Sequence, residues 1–222
     1  RPCIFEYIYF SRPDSIVGGL SVYQCRKAFG KELAKESFVQ ADMVIPVPDS
    51  GVPAAIGYAE KSEIPFETGI IRNHYVGRTF IEPQQSIRAF SVKLKHNANN
   101  ILVDGKKVIL VDDSLVRGTT SIKIVRMMRD AGAKEVHMRI AAPPIKYPDY
   151  YGIDTPVKEN LLAANHSLNE IKDFLDVDSI AYLSIDGLYR AMGHKDGRDP
   201  KNPVYTDPVS YTHLTLPTKA SV

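Results

Sequence analysis

The chain has 222 residues, 44% of them hydrophobic, which is enough for one large domain with a proper buried core. Its 28 basic and 26 acidic residues nearly cancel, so charge gives no warrant for a nucleic-acid or membrane partner, and no apolar stretch nears the roughly 20 residues that span a bilayer. Two cysteines, Cys3 and Cys25, cannot make a disulfide framework, which points to a reducing, cytoplasmic setting.

The chain opens at Arg1 without a methionine or a signal-peptide pattern. Ile4 to Phe10 is already a dense apolar and aromatic run of strand type, so the N-terminus is expected to be cut from something longer. Further strand-length apolar runs follow at Met43 to Val47, Gly69 to Ile71, Val108 to Val111, Val136 to Ala141 and Ile180 to Leu183. Helical patterns alternate with them. Val22 to Glu36 places Ala28, Phe29, Leu33 and Ala34 on one side, and Val52 to Lys61 carries Pro53 near its first turn, where a missing N–H costs little. Thr120 to Ala131 puts Ile124, Val125 and Met128 on one face ahead of Gly132, the residue expected just past a helix C-terminus. Ser167 with Glu170 has the spacing of a capping box. Residues 208–222, which include VSYTHLTLPTKASV from Val209, continue no periodicity. They are expected to be a cloning-derived or disordered tail behind a single domain over 1–207.

Unalternated strands separated by helices predict a doubly wound α/β domain, with a mostly parallel twisted sheet covered by helices on both faces. Ligands in such sheets sit outside the carboxyl ends of the strands. At one of those ends the buried run Val108 to Val111 leads straight into Asp112 and Asp113. Two unpartnered buried acids would be costly there. Ser114, Arg117, Gly118, Thr119 and Thr120 then supply hydroxyls, a cation and a tight turn just before a helix, and successive N–H groups at a helix N-terminus form an anion cradle. The lysine-serine or lysine-threonine ending of a P-loop is absent. Two readings fit these residues: a strand-to-helix turn whose acids cap backbone amides, or a sugar-phosphate site in which carboxylates hold ribose hydroxyls and amides hold the phosphate. No Cys-His or Ser-His-Asp arrangement suggests a covalent nucleophile.

The string VILVDDSLVRGTT from Val108 resembles the phosphoribosyl-pyrophosphate motif of type I phosphoribosyltransferases. The resemblance extends to CIFEYIYFSRPDS from Cys3, VIPVPDSG from Val44, NHYVGRTFI from Asn73 and PDYYGID from Pro148, which together look like the phosphoribosyltransferase half of the glutamine amidophosphoribosyltransferase family. That family catalyses the first committed step of purine biosynthesis. The resemblance implies a type I phosphoribosyltransferase fold with a mobile flap between Arg72 and Arg88 that excludes water. It implies catalytic roles for Asp112, Asp113, Arg78 and Tyr75, and magnesium at Ser50, Asp112 and Asp113. Substrate contacts are implied for Ser114, Val116, Arg117, Gly118, Thr119, Thr120, Asp49, Ser50, Gly51, Arg72 and Thr79. Read without the resemblance, Ser50 could equally be a helix N-cap. His74 stands where the family more often has a basic residue.

The implied partners are phosphoribosyl pyrophosphate, ammonia, purine nucleotide inhibitors and further copies of the chain. The family's glutaminase nucleophile is a terminal cysteine of a preceding domain, whereas Cys3 lies in the later segment CIFEY. These 222 residues are therefore expected to use free ammonia and to hydrolyse no glutamine. An iron-sulfur cluster is not expected: of the family's four cluster cysteines only Cys3 has a counterpart, and Asp149 stands in place of another. Cys25, on a helical pattern, is expected in the core. The competing functions are a transferase that joins a nucleobase to the same donor, and a non-catalytic regulator that binds phosphoribosyl pyrophosphate.

Overall fold

The computed structural model describes residues 2–72, 96–148 and 157–206. Its centre is a four-stranded parallel sheet in the order β3 (Met43–Pro46), β6 (Lys107–Asp112), β7 (Glu135–Ile140), β8 (Ser179–Tyr182), with Val44 opposite Ile109, Ile109 opposite His137 and Met138 opposite Ile180. All of β3, and every residue of β6 and β7 after the first, are buried, so both faces of the sheet are covered and period-2 alternation has nothing to report.

The covering helices follow the sequence closely. α1 (Val22–Glu36) starts at Ser21, whose hydroxyl accepts from the Gln24 amide, and buries Cys25, Phe29, Leu33 and Ala34 as its spacing predicts, whereas Ala28 is only half-buried. α2 (Val52–Ser62) packs on β3, β6 and α1. It approaches α1 closely because Gly30 and Gly57 face the partner backbone: a β-carbon at Gly30 would lie 1.8 Å from the Ala54 carbonyl oxygen. Next come the short α3 (Asn100–Val103) and then α4 (Thr119–Asp130), which buries Ile124, Val125 and Met128, as expected. α5 (Leu162–Asn165) precedes α6 (Leu168–Leu175), whose Ser167–Glu170 capping box is complete, and α7 (Ile185–Ala191) packs on α1. Among the described residues no helix is long and apolar enough to cross a membrane.

Two expectations need correction. Ile4 to Phe10 is not a strand. Glu6–Phe10 forms a wide helical turn closed by the Ser11 amide donating to the Glu6 carbonyl (3.1 Å), and Tyr7 and Ile8 are buried in it. The Tyr7 ring meets Tyr205 edge-on at 5.7 Å, and the Thr206 amide donates to the Pro2 carbonyl (3.0 Å), so this turn docks on the other end of the described chain. A short apolar run cannot by itself distinguish a buried strand from a buried helical turn. Likewise Gly69 to Ile71 does not join the parallel sheet: β4 (Ile70–Arg72) pairs antiparallel with β5 (His96–Ala98) in a separate ribbon, where Ile71 and Arg72 are exposed. Two further paired strands, β1 (Ile16–Val17) and β2 (Leu20–Ser21), lead into α1.

Candidate functional site

β3 and β6 are neighbours in the sheet, and their carboxyl ends bring two loops together. The first, Val47 to Gly51, is drawn onto the end of β6 by the Val47 amide, which donates to the Val111 carbonyl (2.9 Å). Gly51 then runs so close to that strand that a β-carbon there would lie 2.4 Å from the Val111 carbonyl oxygen, and only glycine fits. Gly51 itself is the N-terminal cap of α2, and no side chain caps it. The alternative reading of Ser50 as an N-cap is therefore corrected: Gly51, one residue on, takes the cap position. Asp49, exposed on the same loop, forms an ion pair with Arg72 at the end of β4.

The second loop starts from Asp112, the last residue of β6. Asp112 and Asp113 are 8% and 6% exposed. The Asp113 amide donates to Asp112 Oδ1 (2.9 Å) and Ser114 Oγ donates to Asp113 Oδ1 (3.0 Å). Asp113 Oδ2 is buried and has no hydrogen-bond partner among the described residues. Burial, and then the neighbouring Asp113 charge, push Asp112 well above the ordinary carboxylate range. Burial raises Asp113 as well, partly offset by the hydroxyls of Ser114 and Ser50. A turn whose acids only capped backbone amides would leave no such deficit. The arrangement calls for a ligand that brings hydroxyl donors or positive charge.

Beyond the acids, Leu115 is buried and Val116 is anchored by its carbonyl, which accepts from the Leu162 amide (2.9 Å), while Arg117, Thr119 and Thr120 remain exposed. Gly118 turns the chain with φ of +75° and caps α4 with no side chain. The first amides of a helix have no acceptor within it, so this N-terminus presents free donors and the positive end of the helix dipole beside the acids. A β-carbon at Gly118 would also press on Leu162 and Phe174, each 3.0 Å away.

Ser50, Gly51, Asp112, Asp113 and Ser114 are thus brought together, with Gly118, Thr119 and Thr120 following on the same loop. Asp49 and Arg72 pair at the exposed rim. Tyr75, Arg78 and Thr79, and with them the flap, lie outside the described residues, as do His74 and Asp149. Among the described residues no three His, Cys, Asp or Glu side chains cluster as a metal-binding set. Magnesium usually takes only one or two carboxylates and completes its shell with phosphate and water, so oxygen donors at Ser50, Asp112 and Asp113, one of them unpartnered, fit that ion.

One buried cation carries no signal in the sequence. Arg26 of α1 is buried to 4% exposure, and its guanidinium donates to the Tyr7 and Ser11 carbonyls. It stands on a helix otherwise rich in exposed charge, so its spacing alone does not announce burial.

The chain is similar to known proteins over most of its length. It is 62% identical over 208 residues to an amidophosphoribosyltransferase of Rhizobium etli, covering 93% of this chain and 42% of that protein. It is 59% identical over 198 residues to the chloroplastic amidophosphoribosyltransferase 1 of Arabidopsis thaliana, covering 89% and 35%. Among solved structures, the glutamine phosphoribosylpyrophosphate amidotransferase of B. subtilis complexed with ADP and GMP matches with a TM-score of 0.80 at 53% identity, over 87% of this chain and 42% of that one. The chain therefore spans about two fifths of the length of these relatives. The family model for the phosphoribosyl transferase domain matches residues 21–155, which include both loops of the site, and the chain belongs to that family.

Proposed function

We propose that this domain transfers a phosphoribosyl group to ammonia, converting phosphoribosyl pyrophosphate and ammonia to 5-phosphoribosylamine and pyrophosphate, the amidophosphoribosyltransferase reaction. The observation that carries the reading is the buried pair Asp112–Asp113, with Asp113 Oδ2 unpartnered among the described residues, immediately ahead of a helix N-terminus that no side chain caps. Relatives named amidophosphoribosyltransferase, 53–62% identical to this chain, support it over the other members of the superfamily.

The nitrogen lone pair of ammonia forms a bond to C1 of the ribose, the C1–O bond breaks with inversion, and pyrophosphate departs with the bonding pair. The new ammonium then gives a proton to solvent. Neutral ammonia needs no side-chain nucleophile, so the residues manage charge. Asp112 and Asp113 accept hydrogen bonds from the ribose hydroxyls and favour positive charge developing on the ring. The amides from Ser114 to Thr120, with the Thr119 and Thr120 hydroxyls, hold the sugar phosphate. Asp49, Gly51 and Arg72 face the pyrophosphate side. Ser50, Asp112 and Asp113 would hold magnesium, which when bound supplies charge neutralisation to the pyrophosphate. We assign Tyr75, Arg78 and Thr79 to closure over the substrate. The solved relative bound to ADP and GMP supports purine nucleotides as inhibitors here too, and we propose that the chain works as a homo-oligomer.

The test is pyrophosphate release from phosphoribosyl pyrophosphate and magnesium. Release proportional to added ammonium chloride is expected. Release that needs a nucleobase instead would move the chain to another branch of the superfamily, and binding without turnover would make it a regulator.

A further inference from the structure

The loop from Ser114 to Thr120 needs backing. Gly118, its pivot, stands at φ of +75°, and a glycine can leave that left-handed state at no steric cost. A loop free to do so would have to be ordered when a phosphate bound, and that ordering would subtract from the affinity. The backing comes from much later in the chain. Leu162 opens α5, and its amide, which has no acceptor within that helix, donates to the Val116 carbonyl (2.9 Å). Its side chain and the ring of Phe174 then close on the Gly118 turn. A β-carbon at Gly118 would lie 3.0 Å from both Leu162 Cδ2 and Phe174 Cε1, with Leu175 Cδ2 next at 3.6 Å. The segment that presents these side chains is itself tied. Asn165 Nδ2 donates to the carbonyls of Lys158 (2.9 Å), Glu159 (3.1 Å) and Leu161 (2.8 Å), and Ser167 and Glu170 cap α6 reciprocally.

Phe174 is the unexpected member of this brace. Leu162, Ile171 and Leu175 are buried, and core packing accounts for them without any ligand. Phe174 is 46% exposed, a minor part of the core, yet one edge of its ring reaches the turn. A half-exposed ring stabilises the fold less than a buried one, whereas its contact with Gly118 acts directly on the loop. Resting on the reading of the Ser114 to Thr120 amides as a sugar-phosphate cradle, we propose that Phe174 is a positioning residue for that cradle: its ring edge, with Leu162 beside it, keeps the Gly118 turn in the conformation that aims the loop amides. The Val47 to Gly51 loop belongs to a different strand end, so the pyrophosphate side is spared.

The experiment measures binding of phosphoribosyl pyrophosphate, ribose 5-phosphate and pyrophosphate, each with magnesium, by calorimetry, together with thermal unfolding. It compares the full chain, Phe174→Ala, Phe174→Tyr, Gly118→Ala and the double variant Phe174→Ala/Gly118→Ala. Phe174→Ala should bind phosphoribosyl pyrophosphate and ribose 5-phosphate about fivefold more weakly, hold pyrophosphate within about twofold, and melt no more than about 4 °C lower. Phe174→Tyr keeps the ring edge and should bind all three within about twofold of the unaltered chain. Because both substitutions act on one turn, the double variant should bind ribose 5-phosphate within about twofold of Gly118→Ala. A Phe174 that serves stability alone would leave ribose 5-phosphate binding untouched, or weaken ribose 5-phosphate and pyrophosphate by the same factor. Either result overturns the proposal, as does full additivity in the double variant or a Phe174→Tyr as weak as Phe174→Ala. If Phe174→Ala does not fold, Phe174→Leu takes its place under the same requirements, and a Phe174→Leu that also fails to fold makes the residue structural and overturns the proposal. Failure of the unaltered chain to bind phosphoribosyl pyrophosphate and ribose 5-phosphate would instead overturn the functional reading, and the inference with it.

Discussion

Neighbouring strands β6 and β7 both bury ionisable side chains, and they treat them in opposite ways. On β7, Arg139 donates from Nε to the Ser37 carbonyl (2.8 Å) and from Nη1 to the Met138 carbonyl (2.9 Å) and Ser179 Oγ (3.1 Å). His137 beside it has both ring nitrogens engaged, with Ser179 Oγ at 2.9 Å and Glu135 Oε2 at 3.2 Å. These groups tie the sheet to its surroundings and are complete without a ligand. At the end of β6, Asp112 and Asp113 are just as buried, one oxygen of Asp113 has no partner among the described residues, and each acid is raised above its ordinary range chiefly by burial. The difference separates a polar group kept for stability from one kept for function: the first satisfies its hydrogen bonds within the protein, while the second waits for a ligand.

Four substitutions probe that contrast. The largest effect should come from Asp112→Asn, which keeps an oxygen for the Asp113 amide but removes the charge. Phosphoribosyl transfer, followed by pyrophosphate release, should fall at least ~100-fold. The pH dependence of stability has a fixed sign. The folded-state acids are raised, so between the unfolded carboxylate range and those raised values the native domain binds more protons than the unfolded chain. Their stabilising contribution is present at acidic pH and lost as pH rises through the raised range. Groups such as Glu32 and Asp178, which are lowered, act in the opposite sense at more acidic pH. Urea unfolding across pH should therefore show Asp112→Asn gaining on the unaltered chain as pH rises above the ordinary carboxylate range.

Arg139→Ala, on the other strand, should cost about 3 kcal/mol in denaturant unfolding through lost hydrogen bonds and a cavity, with ligand affinity little changed at temperatures where the protein stays folded. Gly118→Ala should cost about 1–2 kcal/mol, because the residue sits at φ of +75° against Leu162 and Phe174, and should weaken phosphate binding with it. The smallest change, about 1 kcal/mol in stability with no effect on turnover, is expected from Ser167→Ala in the α6 capping box.

Much of the framework is legible in the sequence. The four sheet strands fall within a residue of their apolar runs, α1 has the predicted bounds, and the Ser167–Glu170 box is present, because each rests on local periodicity or spacing. The strand end at Asp112 is legible as chemistry, since two acids after a buried strand and before a glycine turn ask for a ligand. What the sequence does not reveal depends on partners distant along the chain. The aromatic run at Ile4 becomes a helical turn because Arg26, 19 residues after Tyr7, takes its carbonyls and because Tyr205 packs on Tyr7. Ser50 yields the capping position to Gly51, which is pressed against the end of a different strand, and the burial of Arg26 is set by carbonyls equally distant along the chain. Gly69 to Ile71 has strand composition, but its pairing with β5 depends on a ribbon that the run itself cannot announce.

The most direct test of the claim that the β6 acids await a ligand is thermal unfolding of the chain and of Asp112→Asn, each with and without phosphoribosyl pyrophosphate and magnesium at about pH 8, above the ordinary carboxylate range. The expected result is a crossover: the empty variant melts above the empty parent by roughly 3 °C, and ligand raises the parent but not the variant. If the empty variant melts lower, or ligand shifts both proteins equally, the acids are structural caps and the assignment of the site is wrong.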